Sequence, residues 1–167
     1  CSGVSMAENF KDHYGHKDKR IIILASPNIQ GGWKKTIVSP SGGPQCTGET
    51  YSLDTKGVNN ALTDKAREKK ADTVIKTYYE LHGYMSFANS VKKALKKANK
   101  AEDTSDATII RNLYSDRMII IDEVHNIRAT DTAETRDTIR YIKLVIQHAQ
   151  NLRLVLLTAN PMFNQPS

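Results

Sequence analysis

The segment Met118-Ile119-Ile120-Ile121-Asp122-Glu123-Val124-His125 constrains the fold more than any other stretch of the chain. Four apolar residues in unbroken succession, without polar alternation, suit a strand covered on both faces, as in a parallel sheet. Two carboxylates where such a strand ends would stand at the carboxyl edge of the sheet, where open α/β folds bind ligands. An acid pair there is unfavourable unless a cation or a reaction uses it. The pattern points toward nucleotide hydrolysis.

Two further stretches repeat the pattern. Ile21 to Ala25 is an apolar strand that exits through Ser26-Pro27-Asn28, and Leu152 to Thr158 exits through Thr158-Ala159-Asn160. Residues 2–14 carry Val4, Ala7 and Phe10 near helical spacing, and Thr132 to Gln150 reads as a long amphipathic helix. A short helix should run from the Ser26 turn through Trp33. Thr73 to Leu81 reads as a helix giving way to a short strand near Tyr79, and Phe87 to Ala98 as a basic helix. Strands alternating with helices of this length predict an α/β fold with a doubly wound parallel sheet flanked by helices. In a parallel sheet all three polar exits fall on one edge. The Gly/Pro/Ser/Thr-rich run from Ser39 to Thr50 reads as a loop, and residues 40–105 as a possible insertion or variable region.

At 167 residues the chain is one domain's worth, and 39% apolar with 25% charged residues fits a globular protein. No run is long enough for a membrane span, so no membrane partner is expected. The net charge of +6 favours a polyanionic partner. Much of it lies between Lys65 and Lys100, which reads either as a solvated helix face or as a nucleic-acid contact surface. Cys1 and Cys46 show no metal-ligand spacing and no paired framework, which fits a reducing, intracellular compartment. The chain begins at Cys1, directly in a helical pattern, and stops at Ser167 soon after a strand. It is expected to be an excerpt of a longer protein.

At the strand exits, Asp122 is placed to hold Mg²⁺ through water, because that ion keeps part of its hydration shell and takes few carboxylates. Glu123 would orient and polarise the water that attacks a γ-phosphate. His125 would hydrogen-bond toward a neighbouring exit, where Thr158 offers a hydroxyl. A metal-dependent hydrolase with Asp122, Glu123 and His125 as direct ligands is disfavoured, since adjacent residues of an extended segment point to opposite faces. Ser26, Pro27, Asn28, Gln30 and Lys34 form a second candidate group, able to meet a phosphate backbone. Trp33 could stack a base or pack against its own sheet.

Asp122-Glu123-Val124-His125 resembles the Walker B box of DExH-type superfamily 2 helicases. Leu156-Leu157-Thr158-Ala159-Asn160-Pro161 is similar to their motif III, with Asn160 in place of the usual second threonine, and Ile23 to Gln30 followed by Trp33 resembles motif Ia. Gly83-Tyr84 with Phe87-Ala88-Asn89 resembles helicases and transcription ATPases of large nucleocytoplasmic DNA viruses. The resemblance implies a RecA-like (P-loop NTPase) domain, incomplete at its N-terminus and spanning residues 1–167 from just after motif I to just after motif III. It implies ATP and Mg²⁺ as cofactors, Asp122 and Glu123 at the nucleotide, and Thr158, Ala159 and Asn160 as the coupling motif. Nucleic acid, most simply DNA, touches Ser26, Pro27, Asn28, Gln30 and Lys34 in this reading. The implied partners also include a second RecA-like domain and, for a viral protein, transcription machinery, with host cytoplasm or virion as location. Gly31-Gly32-Trp33-Lys34-Lys35-Thr36 imitates a Walker A loop, but with wrong spacing and after the wrong strand. The implied activity is that of an ATP-dependent helicase or translocase. The alternatives are a viral transcription ATPase on the same motor core and an inactive RecA-like binding module.

Overall fold

Unbroken apolar runs become strands here because helices cover both of their faces. In a computed structural model of the chain, residues 2–14, 19–38, 46–47, 51, 64–101, 104–125 and 132–159 are described. They form α1 (Ser2–Tyr14), β1 (Ile21–Leu24), α2 (Pro27–Ile37), α3 (Asp64–Tyr78), β2 (Tyr79–His82), α4 (Tyr84–Ala101), α5 (Asp106–Tyr114), β3 (Met118–Ile121), α6 (Ala133–His148) and β4 (Arg153–Leu156). The strands make one four-stranded sheet in the order β2-β1-β3-β4, with every pairing parallel.

Alternate side chains of the same strands feed two cores. Ile21, Ile23 and Ile120 pack with Val4, Ala7 and Phe10 of α1, Ile37 of α2, and Ala71 and Ile75 of α3. Ile22, Leu24, Ile119 and Ile121 face α4, α5 and α6 through Phe87, Val91, Leu95, Ile110, Ile142 and Val145. Full burial of one such side chain contributes roughly 1.5–3 kcal/mol, so β1 and β3 anchor the domain. Layering is thus helix, sheet, helix, as the apolar patterns predicted.

The chain leaves β1 through α2 and α3 on one face to reach β2. It then returns across the other face through α4 and α5 to β3, on the far side of β1. The direction of winding therefore reverses between β1 and β3, and the crevice at the carboxyl ends of these two strands is the topological switch point.

Several boundaries differ from expectation. Helix α2 runs on past Trp33 to Ile37, because Ile37 is fully buried and its burial outweighs the weak helix propensity of Gly31 and Gly32. Those glycines lie inside a helix and form no phosphate loop. Strand β2 and helix α4 are built into the sheet and its second core, so this half of the 40–105 stretch is integral to the domain. Most of residues 39–63 fall outside the described residues. Helix α5, capped by Ser105 Oγ on the Thr108 amide, was not foreseen. On α6 the buried face includes Thr138. Cys46 is disulfide-bonded, so the reading of the two cysteines as showing no paired framework does not hold there.

Helix α4 starts at the tip of β2 and runs back along the sheet, carrying exposed Lys93, Lys96 and Lys97 away from the strand tips. That placement suits a solvated face. No helix among the described residues is long and apolar enough to cross a membrane. At the sheet's edge, Leu154 and Leu156 of β4 are 37% and 54% exposed, whereas β1 and β3 are buried throughout.

A polar knot ties Tyr51 into the first core. Glu8 of α1 accepts hydrogen bonds from the Tyr51 hydroxyl at 2.9 Å and also from Tyr79 and Lys11. Burial pushes the Tyr51 hydroxyl up to about 12.

Gly31 is exposed, and a Cβ there would meet nothing within 4 Å. Gly31→Ala is therefore expected to stabilise the domain by about 0.5–1 kcal/mol through helix propensity. Urea unfolding should show a higher midpoint at an unchanged slope, and a lower midpoint would contradict the assigned helix.

Candidate active site

Strand β3 delivers Asp122 to the switch point, and four contacts fix it there. Its amide donates to the Leu24 carbonyl at 2.9 Å, pinning it beside the tip of β1. Its carbonyl accepts from the Tyr84 hydroxyl at the start of α4. Carboxylate Oδ1 accepts from the Glu123 amide at 3.0 Å, and Oδ2 accepts from Nε1 of Trp33 at 2.7 Å. Asp122 is half-buried and opens onto a cleft of about 280 Å³ whose walls include Gly3, Ile29, Trp33 and Leu157.

Glu123 has φ of 50°. A left-handed backbone at a residue that is neither Gly, Asn nor Asp costs on the order of 1–3 kcal/mol, and such strain gathers at functional sites. The extended-strand argument used to separate the two acids therefore does not hold at Glu123. The carboxylates still diverge: Asp122 turns to Trp33 on α2, and Glu123 turns toward the tip of β4.

There, Nδ1 of His125 lies 3.2 Å from Oε2 of Glu123 and 3.1 Å from Oγ1 of Thr158. One ring nitrogen cannot serve both neighbours as a donor at full strength. With the proton on Nε2, Nδ1 accepts from the Thr158 hydroxyl and Glu123 receives nothing. With the proton on Nδ1, it is available to the Glu123 carboxylate. Oε2 of Glu123 is buried, and no donor among the described residues is aligned on it. The site thus holds a carboxylate oxygen with free acceptor capacity beside a histidine whose tautomer is tied to the next strand.

The structure brings Asp122, Glu123, His125 and Thr158 to one edge. Ala159 follows Thr158 at the exposed tip, and Asn160 lies outside the described residues. Ser26 is the N-cap residue of α2 without a side-chain cap bond, Pro27 opens the helix, and Asn28 is exposed. Gln30 turns inward, its amide donating to the Ala25 carbonyl at 3.0 Å. Lys34 forms an ion pair with Asp72 of α3 at 2.7 Å. Of this second group, Ser26, Pro27 and Asn28 are at the β1 tip, whereas Gln30 and Lys34 have internal partners.

Two groups around Asp122 were missed. Trp33 was read as a packing or base-stacking residue, and Tyr84 had no role assigned. Both contacts join segments far apart in sequence, and only a donor group on each side chain hinted at them.

The SNF2-related domain matches residues 4–167. A protein of Acanthamoeba polyphaga mimivirus, named as a candidate ATP-dependent RNA helicase, is 29% identical over 98% of this chain and 15% of its own length. A second mimivirus protein of that description is 25% identical over 100% of this chain and 25% of its own length. A candidate helicase of frog virus 3 (isolate Goorha) is 31% identical over 99% of this chain and 15% of its own length. The chain thus spans between 15% and 25% of the length of these relatives. No solved structure matches it.

Proposed function

The chain belongs to the SNF2-related domain family of superfamily 2, and from that premise we propose that it is part of a motor that couples ATP hydrolysis to nucleic-acid remodelling. One observation carries the proposal. Asp122, at the switch point of the sheet, shares its cleft with the first turn of α1, represented by Gly3 and Val4. A strand-end carboxylate at such a crevice stands where open α/β folds bind ligands and can hold a divalent ion through water beside them.

The residues fit the groups this reading requires. Among the described residues no group of three His, Cys, Asp or Glu side chains that could hold a metal ion converges, so Asp122 is the one protein ligand this reading assigns. Asp122 would hold Mg²⁺ through water, and Glu123, half-buried at the same strand end, would be the base that accepts a proton from water. Mg²⁺ bound with ATP would neutralise charge on the β- and γ-phosphates. Glu123 orients the attacking water and takes its proton. His125 and Thr158 relay the state of that site to the tip of β4, with Ala159 and Asn160 continuing the coupling segment.

Ser26, Pro27, Asn28 and Gln30, with Lys34 and Lys35, form the proposed face for the phosphate backbone. Two relatives are named for RNA, so both RNA and DNA belong in the test. In the full-length protein, Lys34→Glu with Lys35→Glu should lower affinity for DNA or RNA and flatten its dependence on salt. A thermal melt separates this effect from loss of the Lys34–Asp72 pair, a half-exposed contact worth at most about 1 kcal/mol. Unchanged affinity and salt slope for both nucleic acids would remove this face from the account.

A further inference from the structure

Helix α2 reaches the carboxylate at the switch point through Trp33. Nε1 of Trp33 donates to Oδ2 of Asp122 at 2.7 Å, a charge-assisted bond in a half-buried setting. The indole is held from behind. A Cβ added at Gly3 would lie 2.8 Å from Cη2 of Trp33 and 3.0 Å from Cδ1 of Leu157. The first turn of α1 and the residue that follows β4 therefore confine the ring, and Gly3 lacks a side chain at the point where the ring passes. The indole aims its only donor at the proposed metal ligand.

We propose that Trp33 is a positioning residue for the metal-binding carboxylate. With Oδ1 held by the Glu123 amide and Oδ2 by the indole, Asp122 keeps one rotamer and presents its remaining lone pairs in one direction. Partners of this kind orient a ligand without touching the ion, and losing one typically lowers metal affinity roughly 10- to 100-fold. Trp33 also rides on the helix that begins at Ser26, Pro27 and Asn28. Movement of that helix under a bound nucleic acid would be felt first at Asp122. The proposal rests on the reading of Asp122 as a metal ligand given above.

The test uses the full-length protein in two arms. In the first, the protein is labelled with ¹⁵N at tryptophan indoles, and the Trp33 signal is identified by its loss in Trp33→Phe. That signal should shift in Asp122→Asn, and no shift would overturn the contact itself. In the second, Mn²⁺ binding is followed by electron paramagnetic resonance in the presence of a non-hydrolysable ATP analogue. Trp33→Phe, which keeps an aromatic ring without the donor, should weaken Mn²⁺ roughly tenfold or more. Trp33→His, which restores a ring N–H, should recover part of the loss. Gly3→Ala keeps the tryptophan but displaces its ring, so it should both shift the indole signal and weaken Mn²⁺. This variant keeps the test open if Trp33→Phe does not fold. Wild-type Mn²⁺ affinity in a folded Trp33→Phe or Gly3→Ala protein would overturn the proposal while leaving Asp122 as ligand. Absence of Mn²⁺ binding by the wild-type protein would instead overturn the reading of Asp122 and the proposal with it.

Discussion

Replacing Glu123 by glutamine in the full-length protein is expected to reduce ATP turnover by roughly 10²- to 10⁴-fold, the usual contribution of a positioned general base. ATP binding should be nearly unchanged. The amide has the shape of the carboxylate but no basic oxygen, so it can still orient water and cannot take the water's proton. The backbone at Glu123, with φ of 50°, is set by the turn that follows β3 and should survive the substitution. The contact from Nδ1 of His125 to Oε2 at 3.2 Å will change character, because a neutral amide attracts the ring proton less than a carboxylate does. Turnover measured by phosphate release and affinity measured with a fluorescent ATP analogue separate the two effects. Turnover near the wild-type rate would refute the role of Glu123. Loss of ATP binding with turnover would show instead that Glu123 contributes to holding the nucleotide.

The second large effect concerns the fold. Glu80 on β2 accepts from Arg117 Nη2 at 2.7 Å and lies 3.1 Å from Arg20 Nη2 and 3.3 Å from His82 Nε2. The Arg117 guanidinium also donates to the Arg20 carbonyl at 2.9 Å, and its side chain is only 9% exposed. Burial alone would raise the Glu80 carboxyl, but the hydrogen bond from His82 and the charges of Arg117 and Arg20 outweigh it and hold the group at about 2. Because this value lies below the unfolded one of 4.5, the carboxylate stabilises the fold at pH above 4.5. That contribution, on the order of 3 kcal/mol, is lost as pH falls from about 4.5 to about 2. Arg20 is 41% exposed and screened by water, so the effect belongs chiefly to His82 and Arg117. Glu80→Gln should destabilise the domain by about 3–5 kcal/mol at neutral pH, since it leaves Arg117 buried without its counter-charge. Urea unfolding at neutral and acid pH checks both statements. The wild-type protein should weaken with acid far more than Glu80→Gln does, and equal acid sensitivity would contradict the assigned partnership.

Residues whose role depends on near neighbours were legible in the sequence, and those whose role depends on distant ones were not. Ile21 to Leu24 and Met118 to Ile121 announce themselves because both faces of each strand are buried, leaving no polar alternation. The tips followed from that, since parallel strands put their exits on one edge. The change from helix to strand at Tyr79 was visible because Tyr79 and Leu81 alternate with polar residues across that boundary. Helix α5 escaped notice because nine residues show little more than two turns of periodicity. The end of α2 was placed too early, since the burial of Ile37 is a tertiary matter. At the site, Asp122, Glu123, His125 and Thr158 were legible from position alone. Trp33 was not, because its bond to Asp122 depends on how α2 lies across the switch point. Glu80 gave no sign of its role, for its two arginine partners precede β1 and β3 and meet it only when the strands pair in register.

The central claim is that the carboxylates at the tip of β3 serve ATP hydrolysis coupled to nucleic acid. It is tested most directly by steady-state phosphate release from ATP by the full-length protein, with and without Mg²⁺ and with DNA or RNA added. The account predicts hydrolysis that requires Mg²⁺, rises when one of the nucleic acids is present, and disappears in Asp122→Ala. Hydrolysis that persists in Asp122→Ala, or no hydrolysis by the folded wild-type protein under any of these conditions, would contradict it.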